Sequence, residues 1–313
     1  MIVVQIQAKT DLEPYQVKQL VEYHYGYHVY EIRKVRAVYK LKTDQGIVAF
    51  KNAKKMKDID FIDSVIQHLH LHEFSYVPTL RKTKNNNLLL HHQHGDYVVE
   101  QWLPSDVREV SPYKRDWLHA AGKKLAQFHE AAATYPVYQI PKKRIRKAWG
   151  EWFFRKYEKV KEWSRWRNSH TDSWLLARMK QVKDNHLKYP NITSSLCHGS
   201  LHQENIMMDA NSEIWFIDFE RLTYDSIGKD LAQILMYHFR FHPWNREDVD
   251  QLLAGYQSVS VLSQSDLIHF CARNLVSERM IYAYLDGKPI LEDQEQERAK
   301  ESVLREIVPA YWY

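Results

Sequence analysis

The chain has 313 residues, enough for one large domain or two smaller ones with a sizeable buried core. Its 44% hydrophobic and 27% charged residues are ordinary for a globular protein, and a net charge of +5, which protonation of the 17 histidines would raise on mild acidification, permits an anionic partner without requiring one. No stretch approaches the about 20 apolar residues of a membrane span, and residues 1–7 lack the basic start and long apolar run of a signal peptide, so we expect neither membrane insertion nor secretion.

The N-terminal third of the chain combines β patterns with two amphipathic helices. Hydrophobic periodicity predicts helices over residues 13–25 and 58–74, and strands over residues 1–7, 29–43 (as two strands) and 47–51. Asp44-Gln45-Gly46 is a turn sequence and predicts a hairpin between the last two strands. Beyond it, an apolar strand over residues 97–104 breaks at Pro104. The pattern predicts a small antiparallel sheet, followed by a mostly helical remainder.

A basic and aromatic segment spans residues 142–167, with eleven Lys and Arg against three Glu and with four tryptophans interleaved. The helical period favours buried aromatics whose surroundings are covered by Lys and Arg stems. Such a helix could bind an anionic small molecule, a nucleic acid or a partner protein, or it could be a solvated amphipathic helix. We do not expect nucleic acid, because no nucleic-acid motif accompanies the charge.

The most informative stretch runs from Cys197 to Glu220. It predicts a loop, a short strand over residues 206–208, a turn, and an apolar strand that ends at Asp218. Such a hairpin brings Asn205 and Asp218 close together. An amide oxygen and a carboxylate on one side of a cleft suit a hard cation such as Mg²⁺, which binds together with phosphates. We therefore predict Asn205 and Asp218 as metal ligands.

This stretch resembles the aminoglycoside-phosphotransferase and choline-kinase branch of the kinase-like fold, whose loop has the pattern H-G-D-x-x-x-x-N. Here the loop is His198-Gly199-Ser200-x-x-x-x-Asn205. The resemblance implies an α+β, bilobal, protein-kinase-like fold, with an N-lobe over residues 1–103 and a helical C-lobe over residues 104–313. It also implies ATP and Mg²⁺ as cofactors. Asp230 would brace the loop through backbone N–H groups, and His198 would support it from within.

In the N-lobe, the resemblance makes Lys51 the residue that holds the nucleotide phosphates, with a solvated strand-end lysine as the alternative. The matching helix should offer Lys51 an acid, but only Asp60 and Asp63 are available, and either could be merely a solvated carboxylate. Backbone groups of Glu100 and Trp102 would pair with adenine at the hinge between the lobes, although the same stretch could be an edge strand of the sheet.

Ser200 stands where the family has its catalytic base. A serine hydroxyl is neutral and accepts a proton poorly, and loss of a general base typically costs about 10²–10⁴ in rate. Two functions follow. The first, which we favour, is a catalytically impaired, kinase-like binding or structural protein. The second is an ATP- and Mg²⁺-dependent small-molecule phosphotransferase with an unconventional base, for which His202 and Glu204 are the nearby titratable groups.

The hairpin ending in Lys51, the hinge, the long helix with Leu125 and His129, the basic aromatic segment and the 197–205 loop together resemble the CotS/YutH family of bacterial endospore-coat proteins. That resemblance implies a spore coat-associated protein of the mother-cell cytoplasm and the coat, with coat proteins as partners. Two distant cysteines, Cys197 and Cys271, fit a reducing compartment.

Overall fold

The computed structural model describes residues 12–146, 149–167, 170–288 and 294–312, so the strand predicted over residues 1–7 lies outside the described residues. The chain divides into two compact units. The first comprises the chain up to His70 together with Val77–Ser105, and the second comprises Leu71–Tyr76 together with the chain from Asp106 onwards.

The first unit is an antiparallel sheet with two helices. Its elements are α1 (Pro14–Tyr25), β1 (Val29–Val35), β2 (Val38–Thr43), β3 (Gly46–Asn52), α2 (Ile59–Leu71), β4 (Leu80–Arg81), β5 (Leu90–His92) and β6 (Gly95–Gln101). The strand order is β1-β2-β3-β6-β4, with β5 also paired to β6. Three consecutive residues at the centre of each of β3 and β6 are buried, and Phe50 of β3 stacks on Tyr97 of β6 at 4.9 Å between ring centroids. The two predicted helices and the predicted hairpin are confirmed.

The second unit is mostly helical. Its strands are β7 (Arg108–Glu109), β8 (Ser194–Cys197), β9 (Ile206–Met208), β10 (Ile214–Phe216) and β11 (Thr223–Ser226). Its helices are α3 (Leu118–Ala133), α4 (Trp149–Arg167), α5 (His170–Lys188), α6 (Gly228–His238), α7 (Arg246–Gln257), α8 (Gln264–Leu275), α9 (Glu278–Leu285) and α10 (Gln294–Ile307). The predicted α+β class is therefore confirmed. Over the ranges that the structure describes, no helix is both long and apolar enough to cross a membrane.

Helices α3 and α7 cross at unusually short range because each has a glycine at the crossing. A Cβ atom on Gly122 of α3 would lie 2.1 Å from the Leu252 carbonyl oxygen, and one on Gly255 of α7 would lie 2.0 Å from the His119 carbonyl oxygen. Any side chain at either position would force the backbones apart. On α3, Phe128 also meets Phe216 of β10, with ring centroids 6.2 Å apart, so the same helix packs on a strand that carries the candidate site.

Candidate functional site

Two antiparallel strands, β9 and β10, carry the predicted metal ligands at one end. Phe216 pairs with Ile206, and the next residue pair continues the ladder, since the Ile217 N–H donates to the Asn205 carbonyl at 3.1 Å. Asn205 therefore lies immediately before β9. Ile217 lies opposite Asn205, and Asp218 is the residue after Ile217. The hairpin brings the two predicted ligands to the same end of the strand pair, as the sequence predicted; their role as ligands stays a prediction.

The Asn205 side chain is buried and oriented. Its Nδ2 donates to the Ser200 carbonyl at 2.8 Å, so the amide oxygen is the group left to serve as an acceptor. Asp218 has a left-handed backbone with φ of 68°, which is rare for a non-glycine residue and turns the chain sharply after β10. One amide oxygen and one carboxylate are oxygen donors of the kind that Mg²⁺ prefers. The residues present therefore fit a hard divalent cation.

The loop that contains Ser200 is held by one buried carboxylate. The Asp230 side chain accepts from the backbone N–H of His198 at 2.7 Å and from that of Gly199 at 2.9 Å. Burial raises the pKa of Asp230, but hydrogen bonds from the His129 ring and the Gly199 N–H outweigh it, so the net pKa is lowered. This is the bracing geometry expected of Asp230.

Gly199 and Gln233 complete the support of the loop. Gly199 has φ of 78°, and a Cβ there would lie 2.4 Å from the Arg221 carbonyl oxygen, so the tight turn before Ser200 needs glycine. Gln233 of α6 accepts from the Leu201 N–H at 3.1 Å and donates to the Gly199 carbonyl at 3.2 Å. Sequence reasoning missed Gln233. Its signal was its position one helical turn after Asp230.

His198 is fully buried and connects the loop to the second strand of the hairpin. Its Nε2 lies 2.8 Å from the Ile217 carbonyl oxygen. Because a carbonyl oxygen can only accept, Nε2 carries a proton and donates this hydrogen bond. Burial lowers the pKa of this imidazole. A buried ring with a backbone partner fits the supporting role predicted for His198.

In the first unit, Lys51 has a partner that the sequence did not identify. Its Nζ is 2.9 Å from the Glu100 Oε2, and both side chains are largely buried. Asp63, by contrast, accepts a hydrogen bond from Gln67 on its own helix, and Asp60 is exposed. Lys51 therefore has an acid partner on β6, whereas the sequence predicted one on α2. The signal was the pairing of β3 with β6, which places Ala49 opposite Glu100.

The pairing of Glu100 and Trp102 backbone groups with adenine stays a prediction, but the structure shows what both residues contact in the sheet. Glu100 lies within β6, where it pairs with Ala49, and the Trp102 N–H donates to the Ile47 carbonyl at 3.0 Å. Because β6 lies between β3 and β4, and Glu100 pairs with Leu80 of β4 as well, the edge-strand alternative is wrong. Because the Trp102 N–H is already used in the sheet, this donor is not available to a base.

The basic segment contains a structural arginine that sequence reasoning counted as surface charge. Arg144 is buried, and its Nη1 donates to the Glu220 carbonyl at 3.1 Å and to the Leu222 carbonyl at 2.8 Å. These carbonyls belong to the turn that follows Asp218. Within α4, Lys156 lies over the Tyr282 ring at 4.3 Å. Part of the basic charge therefore serves internal contacts.

Comparisons with known proteins identify the family and the fold. The sequence profile of the phosphotransferase enzyme family matches residues 34–266. An aminoglycoside phosphotransferase from Alicyclobacillus acidocaldarius is similar over 98% of this chain and 96% of its own, with 15% identity and a TM-score of 0.67. Spectinomycin phosphotransferase, solved with ADP and spectinomycin, is similar over 96% of this chain and 99% of its own, with 14% identity and a TM-score of 0.60. Amicoumacin kinase, solved with AMP-PNP and Ca²⁺, is similar over 94% of each chain, with 17% identity and a TM-score of 0.62.

These solved structures share the fold: a small antiparallel sheet in the N-terminal lobe and a helical C-terminal region. The family profile covers well over half of the chain. This protein therefore belongs to the phosphotransferase enzyme family.

Proposed function

We propose that this protein binds a magnesium nucleotide but is impaired in phosphoryl transfer. Asn205 and Asp218 would hold the cation, and Lys51 would hold the phosphates. A bound Mg²⁺ would supply charge neutralisation for the phosphate groups. Support comes from the hairpin that brings the two oxygen donors together and from relatives solved with ADP or with AMP-PNP and Ca²⁺.

The impairment is inferred from Ser200, which occupies the base position of a loop whose backbone is otherwise held by several hydrogen bonds. Asp230 and Gln233 hold the loop backbone, and Asn205 holds the Ser200 carbonyl. Phosphoryl transfer depends on positioning and on a carboxylate that orients the acceptor hydroxyl and takes its proton. A serine side chain at that position cannot supply the negative charge of the carboxylate. The loop has therefore kept its positioning contacts without its proton acceptor.

The test is Ser200→Asp, assayed for Mg²⁺-dependent ATP turnover beside the wild type. We expect the variant to raise turnover by about tenfold or more, which is part of the 10²–10⁴ that a general base contributes. Binding of Mg²⁺ and ADP should be unchanged, because Asn205 and Asp218 are intact. Asp218→Ala in the Ser200→Asp background should abolish the gain. Robust turnover by the wild type that Asp218→Ala abolishes would contradict the proposal.

The second candidate function is a phosphotransferase that uses His202 as the base. The His202 N–H donates to the Ser200 carbonyl at 3.1 Å, and burial lowers the pKa of its ring, which keeps the imidazole neutral and able to accept a proton near neutral pH. In that case the wild type has turnover, and His202→Asn abolishes it without weakening ADP binding. Under the favoured proposal, His202→Asn leaves the low residual turnover unchanged, because His202 does not act as its base.

We further propose that the protein is associated with the spore coat, with coat proteins as partners, and that an anionic ligand binds near residues 142–167. The support is the resemblance of the whole chain to the CotS/YutH proteins and the exposed Lys142 and Lys143 at the start of that segment. Immunogold labelling of purified endospores tests the location. Purified endospores with no label on the coat would contradict it.

A further inference from the structure

The ion pair between Lys51 and Glu100 places a carboxylate on the residue proposed to bind phosphate. The two charged groups are 2.9 Å apart, and their side chains are only 11% and 16% exposed. Ala49 lies opposite Glu100 and Lys51 lies opposite Val98, so Lys51 and Glu100 are diagonal neighbours on one face of the sheet. Long side chains reach across such a diagonal. The contact is therefore a property of the strand register.

Glu100 lies on a strand, which restricts its movement relative to Lys51. An acid on a helix can move away from its lysine when the helix shifts. Glu100 cannot move away in this manner, because five residue pairs in total connect β3 to β6, from Val48–Gln101 to Asn52–Tyr97, and the contact lies among them. As long as the sheet is formed, the carboxylate stays beside the ammonium. A phosphate that approaches Lys51 thus meets an ammonium that is already neutralised, and it also meets a like charge.

We propose that Glu100 sets how tightly this protein holds the phosphate groups of a nucleotide, by competing with them for Lys51. The inference rests on the proposed function, since Lys51 meets a phosphate only if the protein binds a nucleotide. Glu100 acts through Lys51 and is a positioning residue. The competition concerns phosphate alone, so a nucleoside without phosphate is unaffected.

The test is Glu100→Gln in the 313-residue chain, with calorimetric titration of ADP and, separately, of adenosine, both in excess Mg²⁺. Glutamine keeps the size and an acceptor oxygen but removes the charge. We expect the Kd for ADP to fall by about tenfold and the Kd for adenosine to stay the same. Glu100→Ala is the second variant, should glutamine perturb the strand, and the same direction is expected.

Two controls separate this effect from a general change of charge or fold. Asp96→Asn removes one negative charge from the same strand, where the carboxylate pairs with His91 at 2.7 Å, and it should leave the Kd for ADP unchanged. Lys51→Met should remove the benefit of Glu100→Gln, because the competition needs the ammonium. A role confined to the stability of the sheet would alter ADP and adenosine binding alike.

The change in ADP affinity caused by Glu100→Gln decides the inference. Tighter ADP binding in Glu100→Gln that disappears in the Lys51→Met background supports the inference, and so does ADP binding that appears only in Glu100→Gln. An unchanged or weaker ADP affinity in Glu100→Gln, with ADP bound by the wild type, overturns the inference and leaves the proposed function standing. If neither protein binds ADP, the inference and the nucleotide part of the proposed function both fail.

Discussion

At the scale of single residues, Asp230 connects more of the candidate site than any of the predicted ligands does. Its two oxygens accept from consecutive backbone N–H groups of the loop, and the His129 ring lies 3.4 Å from one of them. If the neutral His129 ring donates from Nε2 to this carboxylate, its Nδ1 accepts from the Tyr256 hydroxyl at 2.9 Å. A single carboxylate therefore joins the loop to α3 and, through His129, to α7.

We expect Asp230→Asn to destabilise the protein by about 3 kcal/mol, because the amide sets an N–H₂ group against a backbone N–H donor in a buried position. The pH dependence has a definite sign. Since the pKa of Asp230 is lowered in the folded state, its stabilisation is present above the ordinary value of 3.8 and is lost as the pH falls below it. Denaturant unfolding between pH 7 and pH 3 checks both points.

In that series the unfolding free energy of Asp230→Asn should depend less on pH than that of the wild type at the acid end. The exposed Asp250→Asn is the control, because its carboxylate pairs with Arg246 at the surface, and it should cost less than about 0.5 kcal/mol. Equal stability of Asp230→Asn and the wild type would show that the Asp230 carboxylate does not stabilise the loop.

At the scale of elements, the crossing of α3 and α7 positions this support. Gly255 of α7 contacts the α3 backbone at His119, and the next residue, Tyr256, supplies the hydroxyl that meets His129. The close approach and the hydrogen bond thus lie on adjacent residues. The sequence predicted the long helix that contains His129, but not the closeness of the crossing. A glycine inside a helix has no sequence signature that separates close packing from mere tolerance.

Gly255→Ala should destabilise the protein by about 3 kcal/mol, since the new Cβ would meet the His119 carbonyl oxygen and the two helix backbones would have to separate. Alanine is otherwise the better helix former, so helix propensity alone predicts stabilisation. The sign of the change in melting temperature therefore decides between the two effects. Ala254→Ser, at the exposed neighbouring position, is the control and should change stability by about 0.5 kcal/mol or less.

At the scale of the whole molecule, the local patterns predicted most of the fold. The hairpin that ends in Lys51, the α2 helix and the β9–β10 hairpin follow from periodicity and turn residues. The contacts that were missed are long-range. Glu100 reaches Lys51 through strand pairing, and Arg144 reaches the turn after Asp218 across 76 residues of sequence. Composition identified Arg144 only as charge, because the sequence does not say which arginine of a basic segment is buried.

The histidines show the same limit and give the last prediction. Composition suggested that mild acidification would charge the protein strongly. In the structure, however, burial lowers the pKa of six histidines, namely His70, His186, His198, His202, His238 and His269. These rings stay neutral in the folded state at a pH where the unfolded chain binds protons. Acidification therefore lowers the free energy of unfolding, and the folded protein gains less charge than the composition suggests.

Because the folded pKa lies below the ordinary value of 6.5, the unfolding free energy should decrease as the pH falls from 6.5 to 5.5, by up to about 1.4 kcal/mol per pH unit for each such histidine. Guanidinium unfolding at intervals across this range measures the slope. His269→Gln replaces a fully buried ring with a group that does not titrate and should reduce the slope, whatever it does to stability at pH 7.5. His94→Gln, at an exposed position, should leave the slope unchanged. A wild-type stability that is constant from pH 7.5 to 5.5 would mean that the buried rings do accept protons in the folded protein.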